Sequence, residues 1–295
     1  MTQTKSYGRP LLWMSPMILM LILFYLYPLL DVVRLSFTNA STLTPEFRYT
    51  LNSYIKTFKD SNFLNTVYVS VIFVFMNIVV QIPLGLMIAV ALNAGIHRKL
   101  RGTIFVRTVV LAAWMAPGVL VGIVWQMLLS SSQFGIVNYF LETIGIGRIE
   151  FLVQPDYALI SIIVANIWRG TAFTMILQYA GLQRIPLGLY EAADIDGASA
   201  FQKFYYITIP QLVPILFINF VLITIYTFNT FDMVIVLTGG GPARATQVLT
   251  LSAYEQVFSF FSLGRGSAIA VILLAFNLVM AVAYYKLVLS QDDRK

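Results

Sequence analysis

Six apolar runs, each long enough to cross a bilayer, dominate this sequence: Leu11 to Phe37, Phe63 to Leu92, Ile104 to Leu129, Tyr157 to Leu182, Leu212 to Leu237 and Gly266 to Leu289. A crossing needs about 20 residues at 1.5 Å each. With 59% hydrophobic and only 11% charged residues, the chain is far more apolar than a soluble domain, in which about a quarter of residues are charged. The runs predict an all-α membrane bundle. Trp13, Tyr25, Tyr27, Tyr157, Tyr284 and Tyr285 fall near run ends, where amphipathic rings favour the headgroup region. Basic residues precede the first run as in a signal peptide, but the run is longer than an h-region and lacks a small-residue cleavage site, so it is expected to be retained as a helix.

The net charge of +6 invites comparison with nucleic-acid binders, yet the basic residues lie between apolar runs and form no continuous stripe. They report orientation instead. Six crossings put both termini and the loops after the second and fourth runs on one side, with Lys5, Arg9, Arg98, Lys99, Arg101, Arg107, Arg184, Lys203, Lys286, Arg294 and Lys295. The other side has Arg34, Arg48, Lys56, Lys59, Arg148, Arg244 and Arg265. Eleven against seven places both termini in the cytoplasm by the positive-inside rule. The outer loops, roughly 38–62, 130–156 and 238–265, are the longer ones and contain turn formers such as Gly145, Gly147 and Gly239-Gly240-Gly241-Pro242.

Several chemistries are excluded. There is no cysteine and one histidine, His97, so thiolate nucleophiles, disulfides and histidine metal clusters cannot be built from this chain alone. No Gly-x-x-x-x-Gly-Lys-Ser/Thr loop occurs, so ATP phosphates cannot be cradled in the P-loop manner. Asp31 and Asp232 are the only acids inside the apolar runs, one to a run, which leaves a membrane-embedded hydrolase without acids paired within a run.

The connector between runs four and five reads Pro186-Leu-Gly-Leu-Tyr-Glu-Ala-Ala-Asp-Ile-Asp-Gly-Ala-Ser-Ala-Phe-Gln-Lys-Phe-Tyr-Tyr-Ile-Thr-Ile-Pro210. Pro186 can open a helix, Ala192 and Ala193 favour one, and Gly197 can end it in the left-handed conformation. A second short helix is expected from about Ala198, with Phe201, Phe204 and Tyr205 on one face, stopping before Pro210. Periodicity alone favours an interfacial amphipathic hairpin that anchors two membrane helices.

The residue pattern is more specific. Glu191-Ala192-Ala193, then Asp196-Gly197-Ala198, then Pro210 thirteen positions after the glycine, resembles the EAA motif of permease subunits of binding-protein-dependent ABC importers. Asn166-Ile-Trp-Arg-Gly-Thr-Ala-Phe leading to Ala180-Gly181-Leu182, Phe231-Asp232 followed by Leu237-Thr-Gly-Gly-Gly-Pro242, and Phe134-Gly-Ile-Val-Asn138 are similar to stretches of the carbohydrate branch of that family, which includes maltose, glycerol-3-phosphate and multiple-sugar importers. The resemblance covers most of residues 50 to 285.

It implies a six-span, type I, MetI-like permease with a cytoplasmic EAA coupling loop at 186–210. Residues 11–289 would be the permease domain, with cytoplasmic tails at 1–10 and 290–295. It further implies import of a sugar, polyol or glycerol phosphate through a pore shared with a second permease, more in the manner of a heterodimer than a homodimer. Two ATPase subunits would hold ATP and Mg, this chain would carry no cofactor, and an extracytoplasmic binding protein would deliver the solute. Glu191, Ala192, Ala193, Asp196, Gly197, Ala198 and Pro210 would couple to the ATPase. Gly239, Gly240, Gly241 and Pro242 would contact the binding protein, or form a plain surface turn. An ATPase-independent transporter or channel is the rival reading, separable by whether an ATPase copurifies.

For the solute path, the polar residues within the runs are the guide, because each must face protein or water: Asn77, Gln81, Gln126, Asn166, Arg169, Gln178, Asn219, Asn229, Asp232 and Asn277. Interhelical hydrogen bonding is the alternative role for each amide. Amides beside aromatic rings suit sugars, which selects Trp125, Gln126, Trp168, Phe228, Asn229 and Phe231. Arg169 and Asp232 join them as charges expected to face the interior or a wet cavity.

Overall fold

Apolar runs placed in lipid satisfy their backbone by becoming helices, and the computed structural model, which describes residues 8–292, is built from them. Fourteen α-helices follow in order among these residues: α1 Gly8–Leu21, α2 Tyr27–Ser36, α3 Asn52–Lys59, α4 Ser61–His97, α5 Thr103–Met115, α6 Gly118–Leu128, α7 Ile136–Thr143, α8 Pro155–Leu182, α9 Leu187–Ile195, α10 Ala200–Lys203, α11 Ile209–Phe228, α12 Asp232–Leu237, α13 Leu249–Phe258 and α14 Leu263–Asp292. A single bridge, Thr38 to Tyr49, is the extent of extended pairing among them. The expected tail 1–10 lies mostly outside the described residues, as do 293–295, and α14 continues past the expected end at Leu289.

Five continuous helical stretches are long and apolar enough to span: Leu12–Ser36, Ser61–Ile96, Pro155–Leu182, Ala200–Phe228 and Leu263–Lys286. The third expected run is not a straight span. Its halves, α5 and α6, meet at 101°. Ala116 sits before Pro117 with ψ 129, since the proline ring disfavours helical geometry in the residue it follows.

The fifth run is corrected at both ends. No helix stops before Pro210: α10 passes through a π-turn at Phe204–Thr208 into α11. Ile209 donates to Phe204 O, five residues back, and Pro210 follows at the start of α11. Proline in a regular helix clashes with the carbonyl four residues earlier, and a widened turn relieves that clash. The same device recurs where Tyr27 donates to Ile22 O just ahead of Pro28. At the other end, α11 closes at Phe228, and α12 is a separate turn. Three stretches expected as outer loops also contain helices, α3, α7 and α13.

The described residues fall into two compact units, 8–63 with 252–274, and 64–251 with 275–292. In the first, Gly264 N–H donates to Ala40 O at 2.9 Å, Ser41 Oγ to Phe261 O at 2.8 Å and Ser53 Oγ to Thr38 O at 2.6 Å. Arg265 pairs with Asp60 there. In the second, α8 packs against α5 and α11, and α6 runs along α12. Half of the α8 span is buried, and two apolar clusters flank it. One joins Val69, Phe73, Val121, Ile162, Met233 and Leu251; the other joins Ala89, Leu92, Met175, Leu182 and Leu212.

Polar residues knit the helices between these clusters. Asn77 Oδ1 accepts from Gln81 Nε2 at 2.7 Å and from Asn166 Nδ2 at 2.8 Å, and Gln178 Nε2 donates to Ile82 O. Here the amides at 77, 81, 166 and 178 are interhelical ties, as lipid-embedded polar groups require. Asn138 performs the same task outside the spans. Its side chain donates to Ser130 O and Ile149 O and accepts from Ile149 N–H, closing the turn around α7.

Candidate functional site: coupling loop and central cavity

The connector after α8 folds as a helix-turn-helix. Pro186, with ψ 128, precedes α9, and its fixed φ costs nothing there. Gly197 has φ +73. Its N–H donates to Asp194 O at 3.1 Å, and Ala198 N–H donates to Ala193 O at 2.8 Å, the paired bonds of a Schellman turn. Ser199 then opens α10 with a reciprocal capping box to Gln202. Lys203 Nζ reaches back to Asp194 at 2.5 Å, and the Tyr190 hydroxyl meets the Thr208 hydroxyl at 2.9 Å. These ties hold α9 against the π-turn.

Glu191, Ala192, Asp196 and Gly197 are exposed, Ala193 and Ala198 are half-buried, and Pro210 is exposed on the following helix. The loop also presents Ile195 at 88%, Phe201 at 74% and Tyr206 at 72% exposure, an apolar face set beside free carboxylates. Phe201 and Tyr205 stack on one side of the turn, as the spacing predicts. Phe204 instead turns into a recess with Val90, Leu182 and Tyr190.

Within the second unit a cavity of about 160 Å³ opens among α4, α5, α8 and α11, lined by Gln81, Trp114, Asn166, Arg169, Gly170, Phe173, Ile223, Tyr226, Thr227 and Thr230. Trp114, Phe173 and Tyr226 form a continuous aromatic wall, with ring centroids 5.6 Å and 5.4 Å apart along the series. Gln81 lies so close to Gly170 that a Cβ there would overlap its amide. Arg169 Nη1 lies 3.5 Å from Asp232 Oδ1, so the two expected intramembrane charges pair.

The matching family model is the binding-protein-dependent transport system inner membrane component, over residues 81–290. The chain belongs to this family. It is a multi-pass permease subunit of an ABC importer. Similar relatives include the trehalose/maltose transport system permease protein MalF of Thermococcus litoralis, 33% identical over 93% of this chain and 92% of that one. The sulfoquinovosyl glycerol transport system permease protein SmoG of Agrobacterium fabrum is 30% identical, over 95% and 90%. The fold matches a bacterial ABC transporter involved in import of the acidic polysaccharide alginate, with TM-score 0.82, 22% identity and 95% of each chain covered.

The cavity brings together only part of the residue set expected along a solute path. Of the eight candidates, Arg169 alone lines the cavity, with Asp232 beside it. Trp125 and Trp168 pack edge to face at 6.3 Å away from the lining set. Gln126 is exposed on α6, and Asn229 is turned back to Ile225 O. Phe228 stacks on Phe276 of α14, and Phe231 packs against the first apolar cluster. The lining residues that the sequence did not single out include Trp114, Phe173, Tyr226, Thr227 and Thr230. Gln81 and Asn166 carried a usable signal as polar residues in apolar runs; the aromatics did not stand out among 22 phenylalanines and 16 tyrosines.

The triple glycine of the permease is not a simple exposed turn. Gly239 and Gly240 have φ +59 and +84, and Gly240 is buried while Gly239 is exposed. Thr246 accounts for the compactness: its N–H donates to Gly240 O, and its hydroxyl bonds Gly241 O and the Thr238 hydroxyl, both at 2.7 Å.

Proposed function

We propose that this permease supplies half of the translocation path for a saccharide or related polyhydroxylated solute. A second permease completes the pore, and two ATPase subunits that hold ATP and Mg work from the cytoplasm. An extracytoplasmic binding protein hands over the solute. The observation that carries the solute class is the cavity lining: the aromatic rings of Trp114, Phe173 and Tyr226 together with the polar residues Gln81, Asn166, Thr227 and Thr230. Sugar C–H faces pack on aromatic rings while hydroxyls require donors and acceptors. A relative named for trehalose and maltose, aligned along nearly the whole chain, supports the same class.

The exposed helix-turn-helix is the coupling element in this reading, with both termini on its side of the membrane. Glu191 and Asp196 offer charge, and Ile195 and Phe201 offer apolar surface, to an ATPase groove; Ala192, Ala193, Gly197, Ala198 and Pro210 set the shape. Gly239, Gly241 and Pro242 face the binding protein, with Gly240 as the buried pivot of that turn.

The test is copurification followed by uptake. The permease, expressed with its companion subunits, should copurify with stoichiometric ATPase, and proteoliposomes should accumulate saccharide only with internal ATP and external binding protein. Saccharide uptake by the permease without any ATPase would instead establish the secondary-transporter reading.

A further inference from the structure

The cavity is lined with a cation, yet its charge is cancelled. Arg169 is the one charged residue in the lining, and Asp232 stands behind it at 3.5 Å, with side chains 25% and 41% exposed. The carboxylate lies directly over Gly118, where a Cβ would overlap all of its carboxyl atoms. Gly118 opens α6, and the partial positive charge at a helix N-terminus favours an anion there. Asp232 is thus held between a guanidinium and a helix end, and only a glycine at 118 admits it.

We infer that the Arg169–Asp232 pair makes this cavity selective for an uncharged polyhydroxylated ring over an anionic one, with Arg169 as the contacting donor and Asp232 as a positioning residue that cancels its charge. The inference rests on the cavity being a solute site. A guanidinium carries five N–H donors, and a contact through Nη1 leaves others for hydroxyl oxygens. A carboxylate or phosphate on the solute would compete with Asp232 for the same cation and meet its like charge; a hydroxyl meets neither obstacle. The remaining lining is neutral. A volume of about 160 Å³ is close to the ~150 Å³ of a cavity that accepts a benzene ring, which suits one six-membered ring at a time.

The experiment uses the assembled transporter in lipid nanodiscs without binding protein, titrated at low salt with methyl glucoside and, separately, glucuronate. Tryptophan fluorescence reports binding, and Trp114→Phe assigns the signal to the cavity. Wild type should bind methyl glucoside about tenfold more tightly than glucuronate. Asp232→Asn should tighten glucuronate roughly tenfold, and 0.5 M salt should reduce that gain because charge is screened. Asp232→Glu should keep the wild-type preference, which a purely structural role for Asp232 does not require. Equal or tighter glucuronate binding by wild type, or no gain in Asp232→Asn, overturns the charge selectivity. Binding of neither ring overturns the cavity assignment as well, whereas saccharide import itself is judged separately by ATP-dependent and binding-protein-dependent uptake.

Discussion

Replacing Gly197 by alanine isolates the backbone contribution to coupling. Nothing lies within 4 Å of a Cβ built at this position, so the substitution introduces no clash, and its entire cost is the φ of +73. An L-residue in the left-handed region costs roughly 1–2 kcal/mol, equivalent to a factor of about 5–30 in a local equilibrium. Valine, branched at Cβ, should cost more, whereas asparagine tolerates this region and should cost least. The bonds at stake are those of Gly197 N–H to Asp194 O and Ala198 N–H to Ala193 O, which set the direction of α10 against α9. Hydrogen exchange over residues 187–203 should therefore accelerate about 5- to 30-fold in Gly197→Ala, because local opening governs that rate. ATPase stimulation and uptake in proteoliposomes should fall in the order Gly, Asn, Ala, Val, while membrane insertion is unchanged. Wild-type exchange in the alanine protein would refute the strain argument. Accelerated exchange with wild-type uptake in the valine protein would refute the coupling role.

Gly118→Ala should destabilise the permease by about 1–3 kcal/mol through overpacking, since its methyl group would displace the Asp232 carboxylate; thermal melts of Gly118→Ala, Asp232→Ala and the double variant should be non-additive, and strict additivity would count against the contact. At Asp60, burial pushes the carboxyl up, but the hydrogen bond from Arg265 and those from Asn62, together with the guanidinium charge, outweigh it and hold the group below its usual value. A depressed carboxyl adds stability that is fully present above the unfolded value of about 3.9 and is lost as pH falls through the folded one. Exchange protection of residues 38–42 and 261–266 should accordingly hold from pH 7 to about 4 and drop below it, whereas Asp60→Asn should be less protected at pH 7 and lack that acid step; an identical acid step in Asp60→Asn would assign it to another group.

Hydropathy and local turn chemistry made much of this molecule legible beforehand. Run length alone fixes helices where lipid leaves backbone groups no other partner, and Gly197, Pro186 and the alanines at 192 and 193 specify the connector because capping and left-handed turns are local properties. Two prolines act otherwise than the run pattern suggests. Pro117 breaks a run that looked continuous, and Pro210 does not break one that looked interrupted, because the π-turn at Phe204–Thr208 absorbs its ring. Neighbouring turns decide that outcome. The cavity was legible only in part, since a polar side chain in an apolar run declares that it avoids lipid but not which partner it meets. Asn77, Gln81 and Asn166 meet one another across α4 and α8. Trp125 and Trp168 pair away from the cavity, while Trp114, Phe173 and Tyr226, drawn from three helices 112 residues apart in the chain at their extremes, converge to line it. The pairing of Arg169 with Asp232 was equally undetermined by sequence. It exists because α5 and α6 bend at Pro117 and leave a glycine where the carboxylate must sit, and such a meeting of distant segments is a property of packing alone.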